Sequence, residues 1–307
     1  MGARVQGNYH SRLPEPIEVE GTVLEWGSKT YLMGIINVTP DSFSGDGVGV
    51  DVEAAVQQAR EFIDAGADIL DIGGESTRPG SQPVTTEEEL RRVLPAVEAI
   101  AAQTDTPISI DTYKAEVAAA ALDAGAHIVN DVWGLRMDPD MAPLVAERGV
   151  PVVVMHNRSR PRDAFQEKRL GGRYVGIEYE DLMADIIREL RESIDCACEA
   201  GVDPNQIIVD PGVGFGKTVE QNLVLIDQLG QLRSLGRPVL VGPSRKSFIG
   251  YTLGKPAGER LFGTAAVVAL AIARGADIVR VHDVAVMADV ARMADAIVRR
   301  KQSEGGH

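Results

Sequence analysis

Apolar residues along this chain come in two alternating textures. Short runs rich in Ile, Val and Leu recur at 31–37, 69–72, 108–111, 128–131, 152–155, 207–210, 239–242 and 278–281. They show little alternation with polar residues, so each reads as a strand covered on both faces, as in a parallel sheet. Longer stretches with helical spacing follow them, at 52–65, 86–103, 114–124, 141–148, 179–201, 219–231, 258–274 and 284–301. One junction repeats: DAGADILDIGG at 64–74, DAGAHIVNDVWG at 123–134, EAGVDPNQIIVDPG at 199–212 and ARGADIVRVHD at 273–283. The glycine in each suits the position just past a helix end, where φ is positive. Eight strand–helix units in alternation predict an α/β chain folded as a (β/α)8 TIM barrel. A doubly wound sheet is the alternative, though its strand count is usually lower.

Residues 17–26 read as a short β-hairpin placed to plug the bottom of that barrel. The expected division is an N-terminal extension and hairpin at 1–30, a single barrel at 31–301 and a frayed tail at 302–307. At roughly 150 residues per domain, 307 residues would suggest two domains. A barrel takes about 250 residues as one unit, however, and no linker divides the chain.

Composition is that of an ordinary soluble protein, with 44% hydrophobic and 25% charged residues. The formal charge of −14 argues against a nucleic-acid partner. It would also argue against an anionic substrate, unless positive charge is gathered locally. No run approaches the ~18 apolar residues of a membrane span, and the first residues lack the apolar core of a secretory signal. Cys196 and Cys198, the only cysteines, stand two apart in a helical stretch and make no disulfide framework. No membrane partner and a cytoplasmic location are the resulting expectations.

In such barrels the chemistry lies at the C-terminal ends of the strands. Those ends carry Asn37, Asp71, Asp111, Asn130, Met155 with His156, Asp210, the segment GPSRKS, and Arg280 to His282. Any one of these can be a helix cap or a turn residue, Asp71 and His282 included. Their convergence on a single rim points to a binding site. Two long loops rich in Gly, Pro, Ser and Asp, at 39–51 and 73–89, open on the same face and suit lids. Thr85 and Thr86 with Glu88 and Glu89 look like a capping box, which assigns those acids to structure. GVGFGKT at 212–218 imitates a phosphate-binding loop, but Pro211 stands where that motif requires its first glycine. The dinucleotide fingerprint is missing as well.

The segments MGIINVTPDSFSGDG, DIGGESTRPGS, SIDTYK, IVNDVWG, DPGVGFGK, GPSRKSFIG and RVHD, in this order from about Tyr31 to Asp283, together resemble dihydropteroate synthase. The resemblance implies a transferase of folate biosynthesis and a target of sulfonamide inhibitors. It would condense 6-hydroxymethyl-7,8-dihydropterin diphosphate with p-aminobenzoate, giving 7,8-dihydropteroate and pyrophosphate. It implies Mg2+ as cofactor and a homodimer. Carried over residue by residue, it makes Asp111, Asn130, Asp210 and Lys246 the pterin-recognition set, with Arg280 beside them and Met155, Gly214 and Phe215 as walls. Asn37 matches the residue near the metal and pyrophosphate. Arg78, Arg280 and His282 match the anion-handling residues. Phe43, Thr77, Pro79 and Ser247 match the p-aminobenzoate side. The implied catalytic set is Asp111, Lys246, Arg280 and His282. The chain departs from the family pattern in two places: Gly45 precedes Asp46 in the first loop, and a long basic stretch at 157–176 follows Met155 and His156.

The chemistry suits these residue types. A carboxylate accepts two adjacent N–H groups of a pterin edge at once, which fits Asp210, and Lys246 can donate to the ring carbonyl and a neighbouring nitrogen. Loss of diphosphate leaves positive charge on the pterin methylene, for which Asp111 is the candidate stabiliser, and negative charge on the leaving group, for which Arg and His donors serve. An arylamine is already neutral at pH 7 and needs no strong base. Two alternatives remain: a pterin-binding methyltransferase barrel, which needs no diphosphate pocket, and a non-catalytic paralogue.

Overall fold

The computed structural model describes residues 13–39, 51–77, 81–160, 163–175 and 177–299. An antiparallel hairpin of β1 (Ile17–Val19) and β2 (Thr22–Leu24) comes first. Then follow β3 (Tyr31–Asn37), α1 (Val52–Asp64), β4 (Ile69–Gly73), α2 (Thr86–Ala101), β5 (Ile108–Asp111), α3 (Ala115–Asp123), β6 (Ile128–Asp131), α4 (Met141–Arg148) and β7 (Val152–Met155). A second hairpin, β8 (Ala164–Glu167) with β9 (Gly171–Tyr174), precedes α5 (Leu182–Glu199). The chain continues with β10 (Ile207–Asp210), α6 (Val219–Asp227), β11 (Leu240–Val241), α7 (Ser247–Leu253), α8 (Leu261–Ala273), β12 (Ile278–Val281) and α9 (Val284–Val298).

Eight parallel strands lie in the order β10-β7-β6-β5-β4-β3-β12-β11. A parallel bridge between Val209 and Val239 joins the two ends. There the Val209 N–H donates to Pro238 O at 2.9 Å, closing the barrel. β11 is shorter than its Ile/Val pattern suggested. Pro238 and Pro243 flank it, and proline has no N–H to give to a ladder. The glycines of the four repeated junctions, Gly66, Gly125, Gly201 and Gly275, all have φ near +100°, as expected of residues just past a helix.

Strand alternation divides the core in two. Leu32, Ile36, Leu70, Ile72, Ile108 and Ile110 face the helices. Met33, Ile69, Ile128, Val153, Ile208, Leu240 and Ile278 fill the barrel interior, and Ile17, Val19, Leu24 and Trp26 of the first hairpin join them. Most of these interior residues open their strands, so the hairpin seals the N-terminal end, as its position in the sequence predicted. Trp26 is fixed there by its indole N–H, which donates to Glu15 O at 3.0 Å. Nearer the C-terminal ends, the interior-facing positions become Asn37, Asp71, Asp111, Asn130, Met155, Asp210 and Arg280. The period of two that packs the barrel therefore also aims the polar strand ends into one mouth.

Several boundaries differ from the sequence reading. The stretch at 179–201 becomes helical only at Leu182, because Asp181 caps it by accepting from Ala184 N at 2.9 Å. The stretch at 219–231 stops at Asp227 and passes into a 3-10 turn over Leu229–Leu235. The expected helix at 258–274 starts at Leu261, and α7 precedes it in a segment read only as a strand end. The β8–β9 hairpin lies inside the basic stretch, where Gly and Arg gave no strand pattern.

Candidate active site

Arg280, on β12, is the centre of the polar mouth. Its Nε donates to Asp71 at 2.5 Å and its Nη2 to Asp111 at 2.6 Å. Asp71 is fully buried and also accepts from the Asn130 amide, 3.3 Å from each carboxylate oxygen. Four strand ends are thereby tied together by side chains alone. The two carboxylates push the Arg280 pKa still higher, so the guanidinium is permanently charged. Burial, reinforced by the charge on Asp71, raises the Asp111 carboxyl to about 7 against the pull of Arg280.

Asp210 is 6% exposed at the end of β10. Its Oδ1 accepts from Gly212 N at 2.7 Å, which leaves further lone pairs for a ligand. Burial raises its pKa to about 6, with Lys246 and Lys217 opposing. The loop that follows supplies Phe215, which packs with Met155 and Val132 in a small apolar cluster edged by Tyr113 and Trp133. Lys246 Nζ lies 4.0 Å from the centroid of the Phe215 ring. Gly214 must be glycine for this approach, since a Cβ there would lie 3.0 Å from the Lys246 side chain and its φ is +81°. An aromatic face, a carboxylate and an ammonium are thus gathered at one point, as a flat heterocycle with N–H and carbonyl edges requires.

His282 sits beside the mouth, its Nδ1 3.0 Å from Ser244 Oγ. The cap of α9 is Asp283, so His282 is not that helix's cap residue. Arg245, with φ +56°, pairs with Asp283 at 2.5 Å and fixes the turn that presents Lys246. Ser247 opens α7 directly after Lys246. Asn37 ends β3 on the interior side. Its amide oxygen is a hard donor of the kind Mg2+ takes. Among the described residues no cluster of three His, Cys, Asp or Glu forms a dedicated metal cage. A donor set of that kind fits an ion held largely by substrate phosphates. Thr77 is half-buried in the second loop. Phe43, Arg78 and Pro79, and Asp46 with them, lie outside the described residues.

The structure brings Asp111, Asn130, Asp210, Met155, Phe215, Lys246 and Arg280 to one mouth. Two donor atoms of Arg280, Nε and Nη2, serve carboxylates, so an anion would meet its Nη1 edge. Sequence reasoning underrated Asp71, which it treated as equally suited to a turn. The usable signal was phase: Asp71 and Asp111 lie two residues beyond interior positions of adjacent strands. In the imitation phosphate loop, Lys217 is 2% exposed and makes three hydrogen bonds behind the site, which its motif did not suggest. Lys114 was also missed. It pairs with Glu75 at 2.6 Å and with buried Glu89, and Glu75 accepts from Val84 N at 3.2 Å, pinching the base of the second loop. Of the expected capping box the Thr85 half is present: Thr85 accepts from Glu88 N at 3.2 Å, while the Glu88 carboxylate turns to Arg91 and Arg92.

A family profile described as pterin binding enzyme matches residues 33–282. The dihydropteroate synthase of Clostridium beijerinckii is 49% identical over 275 residues, covering 89% of this chain and 96% of that one. The structure of Xanthomonas albilineans dihydropteroate synthase with 4-aminobenzoic acid is 44% identical, with a TM-score of 0.83 over 92% of this chain and 98% of that one. Yersinia pestis dihydropteroate synthase, solved as a sulfonamide drug complex, is 39% identical with a TM-score of 0.83, covering 92% of this chain and 99% of its own. With its barrel mouth built for a flat heterocycle and relatives of this closeness over nearly its whole length, the chain belongs to the dihydropteroate synthase family of pterin-binding enzymes.

Proposed function

We propose that this chain joins p-aminobenzoate to the methylene of 6-hydroxymethyl-7,8-dihydropterin diphosphate, giving 7,8-dihydropteroate and pyrophosphate. The observation that carries the reading is the linked set Asp71–Arg280–Asp111, open to the same mouth as Asp210 and the Lys246–Phe215 pair. In this reading Asp210 accepts the paired N–H groups of the pterin edge, and Asn130 adds its amide. Lys246 donates to the ring carbonyl, while Met155, Gly214 and Phe215 wall the ring.

The step makes one C–N bond and breaks one C–O bond. The arylamine lone pair attacks the methylene, the diphosphate departs with the C–O electrons, and the anilinium releases one proton to solvent. Asp111 faces the positive charge that gathers on the pterin as the C–O bond lengthens. Arg280 holds Asp111 and Asp71 in place, and its remaining Nη1 edge, with His282 and Arg78, receives the departing anion. Asn37 would hold Mg2+ together with the diphosphate oxygens, and the bound ion would supply charge neutralisation on the leaving group. Phe43, Thr77, Pro79 and Ser247 would receive p-aminobenzoate, and sulfonamides would compete there.

We further propose a cytoplasmic homodimer. The exposed thiols Cys196 and Cys198 suit a reducing compartment. No helix among the described residues is long and apolar enough to cross a membrane. Phe262 on α8 is 83% exposed and Met293 on α9 63%, with Leu270, Val286 and Ile297 also exposed on the same helix pair. This apolar face suits a second copy of the chain.

A coupled assay of pyrophosphate release decides the reading. Release should require both p-aminobenzoate and the dihydropterin diphosphate. No release from folded protein with Mg2+ would overturn it.

A further inference from the structure

Behind the wall of the mouth lies a buried relay that none of the assigned roles uses. Lys217 Nζ donates to Gly212 O and Phe215 O, each at 3.0 Å, and meets His156 Nδ1 at 2.9 Å. An ammonium has three N–H groups, and all three are placed. With Nδ1 accepting, the proton of the neutral imidazole sits on Nε2, which faces Glu189 Oε2 at 3.1 Å. Glu189 in turn binds Arg158, whose guanidinium lies 4.2 Å from the Tyr179 ring centroid. The Tyr179 hydroxyl donates to Gly216 O at 2.8 Å. The buried cation on the loop is therefore balanced by a carboxylate on α5 through an uncharged ring.

Both carbonyls that Lys217 binds belong to the stretch forming the pterin wall. Gly212, through its N–H, fixes Asp210, and Phe215 carries the ring beneath Lys246. The loop has little freedom to sit elsewhere. A Cβ on Gly212 would lie 1.9 Å from His156 O, and one on Gly216 would lie 2.5 Å from the Arg158 carbonyl carbon. An isolated ammonium in this position would be strongly unfavourable, so its satisfied set of partners is a stake in one loop geometry.

We propose that Lys217 is a positioning residue for pterin binding, its ammonium holding the Gly212 and Phe215 carbonyls so that Asp210 and the Phe215 ring face the ligand together. The proposal rests on the pterin reading of the mouth. Burial lowers the Lys217 pKa to about 7, with Asp210 and Glu189 acting to keep it charged. The His156 ring is driven to about 3 by burial and by Lys217, and so stays neutral.

The test measures the dissociation constant of 6-hydroxymethylpterin by calorimetry, together with the KM for p-aminobenzoate and kcat. If wild-type protein binds no pterin, the reading of the site itself fails. If it binds, Lys217→Met should weaken pterin at least fivefold while the p-aminobenzoate KM stays within twofold. A general loosening of the fold would move both substrates alike. Glu189→Gln, which removes the counter-charge from a distance, should weaken pterin about threefold in the same direction. It also decides the matter if Lys217→Met does not fold. Unchanged pterin affinity in folded Lys217→Met, or in Glu189→Gln when Lys217→Met does not fold, would overturn the proposal. Equal losses for both substrates would do the same.

Discussion

Replacing Arg280 with methionine keeps much of the side-chain volume and removes the cation that Asp71 and Asp111 share. Both contacts are short, and the Arg280 side chain is only 19% exposed. Removing one partner of a buried pair costs about 3–5 kcal/mol, because the other charge is left without compensation. With some solvent access, the lower figure, ~3 kcal/mol, is the fair expectation. At about 2–4 °C per kcal/mol for a chain of this class, Tm should fall by roughly 6–12 °C. The loss should also depend on pH. Asp111 is already raised to about 7 with Arg280 pulling it down. Without that pull, Asp111 retains its proton to higher pH. The folded form then binds more protons than the unfolded form, so stability falls as pH rises through the raised value. The gap in Tm between wild type and variant should therefore be wider at pH 8 than at pH 5.5, as read by calorimetry. Pyrophosphate release supplies the second measurement: kcat/KM for the dihydropterin diphosphate should drop at least 100-fold, about 2.7 kcal/mol in transition-state terms. Glu88→Ala, on the outer face of α2, should stay within twofold. A Tm gap equal at both pH values, or equal activity losses in the two variants, would refute the electrostatic account of the mouth.

Asp210, raised to about 6, should lose its acceptor role as pH falls through that value. Pterin affinity, measured by calorimetry, should then weaken with acid in wild type and be low and nearly independent of pH in Asp210→Asn; a flat wild-type profile down to pH 5 would contradict the assignment. Phe262→Glu should convert a sedimenting dimer into a monomer, and an unchanged mass would remove α8 from the interface. Trp26→Ala should lower stability by about 3–5 kcal/mol in urea denaturation, since it empties the hairpin seal, while leaving the activity of the folded fraction near wild type; a lost activity with unchanged stability would contradict a purely sealing role.

The strands were legible because a fully covered strand must be apolar throughout, and six of the eight runs match to the residue. β11 fell short where prolines limit the ladder, a local effect that an apolar count does not register. The helix ends moved with caps: Asp181 decided the start of α5 more strongly than apolar spacing did. In the site, residues that would touch ligand were easier to recognise than those that hold them. Asp111, Asp210 and Arg280 are strand ends and stand out as charge in apolar surroundings. Asp71 shares that position but reads equally well as a turn former. Lys217, Lys114 and Glu89 lie on loops and helices, where charged residues are ordinarily solvated. Their burial depends on partners 61, 39 and 25 positions away, a separation that no local pattern carries.

The charge of the chain bears on how a diphosphate can enter. Asp71, Asp111 and Asp210 face the mouth, against Arg280 and Lys246 among the described residues, and Arg280 is already divided between two carboxylates. The interior is thus no anion sink, and the surrounding protein carries −14. In the proposed reaction these carboxylates serve the N–H edge and the developing cation of the pterin. A diphosphate bound beside them is repelled unless positive charge arrives with it. Rim cations help, but an exposed charge pair contributes at most about 1 kcal/mol. A divalent ion carried by the phosphate oxygens and taken up at Asn37 would answer the repulsion where it arises. Chelating Mg2+ should therefore weaken the dihydropterin diphosphate at least tenfold in calorimetry while leaving unphosphorylated 6-hydroxymethylpterin within twofold. Asn37→Ala should reproduce part of that difference, because it alters the metal end and leaves the pterin floor intact. Equal weakening of both ligands by chelation would show the ion acting on the fold or the pterin floor instead. No weakening of either would mean that the rim cations alone overcome the acidic interior.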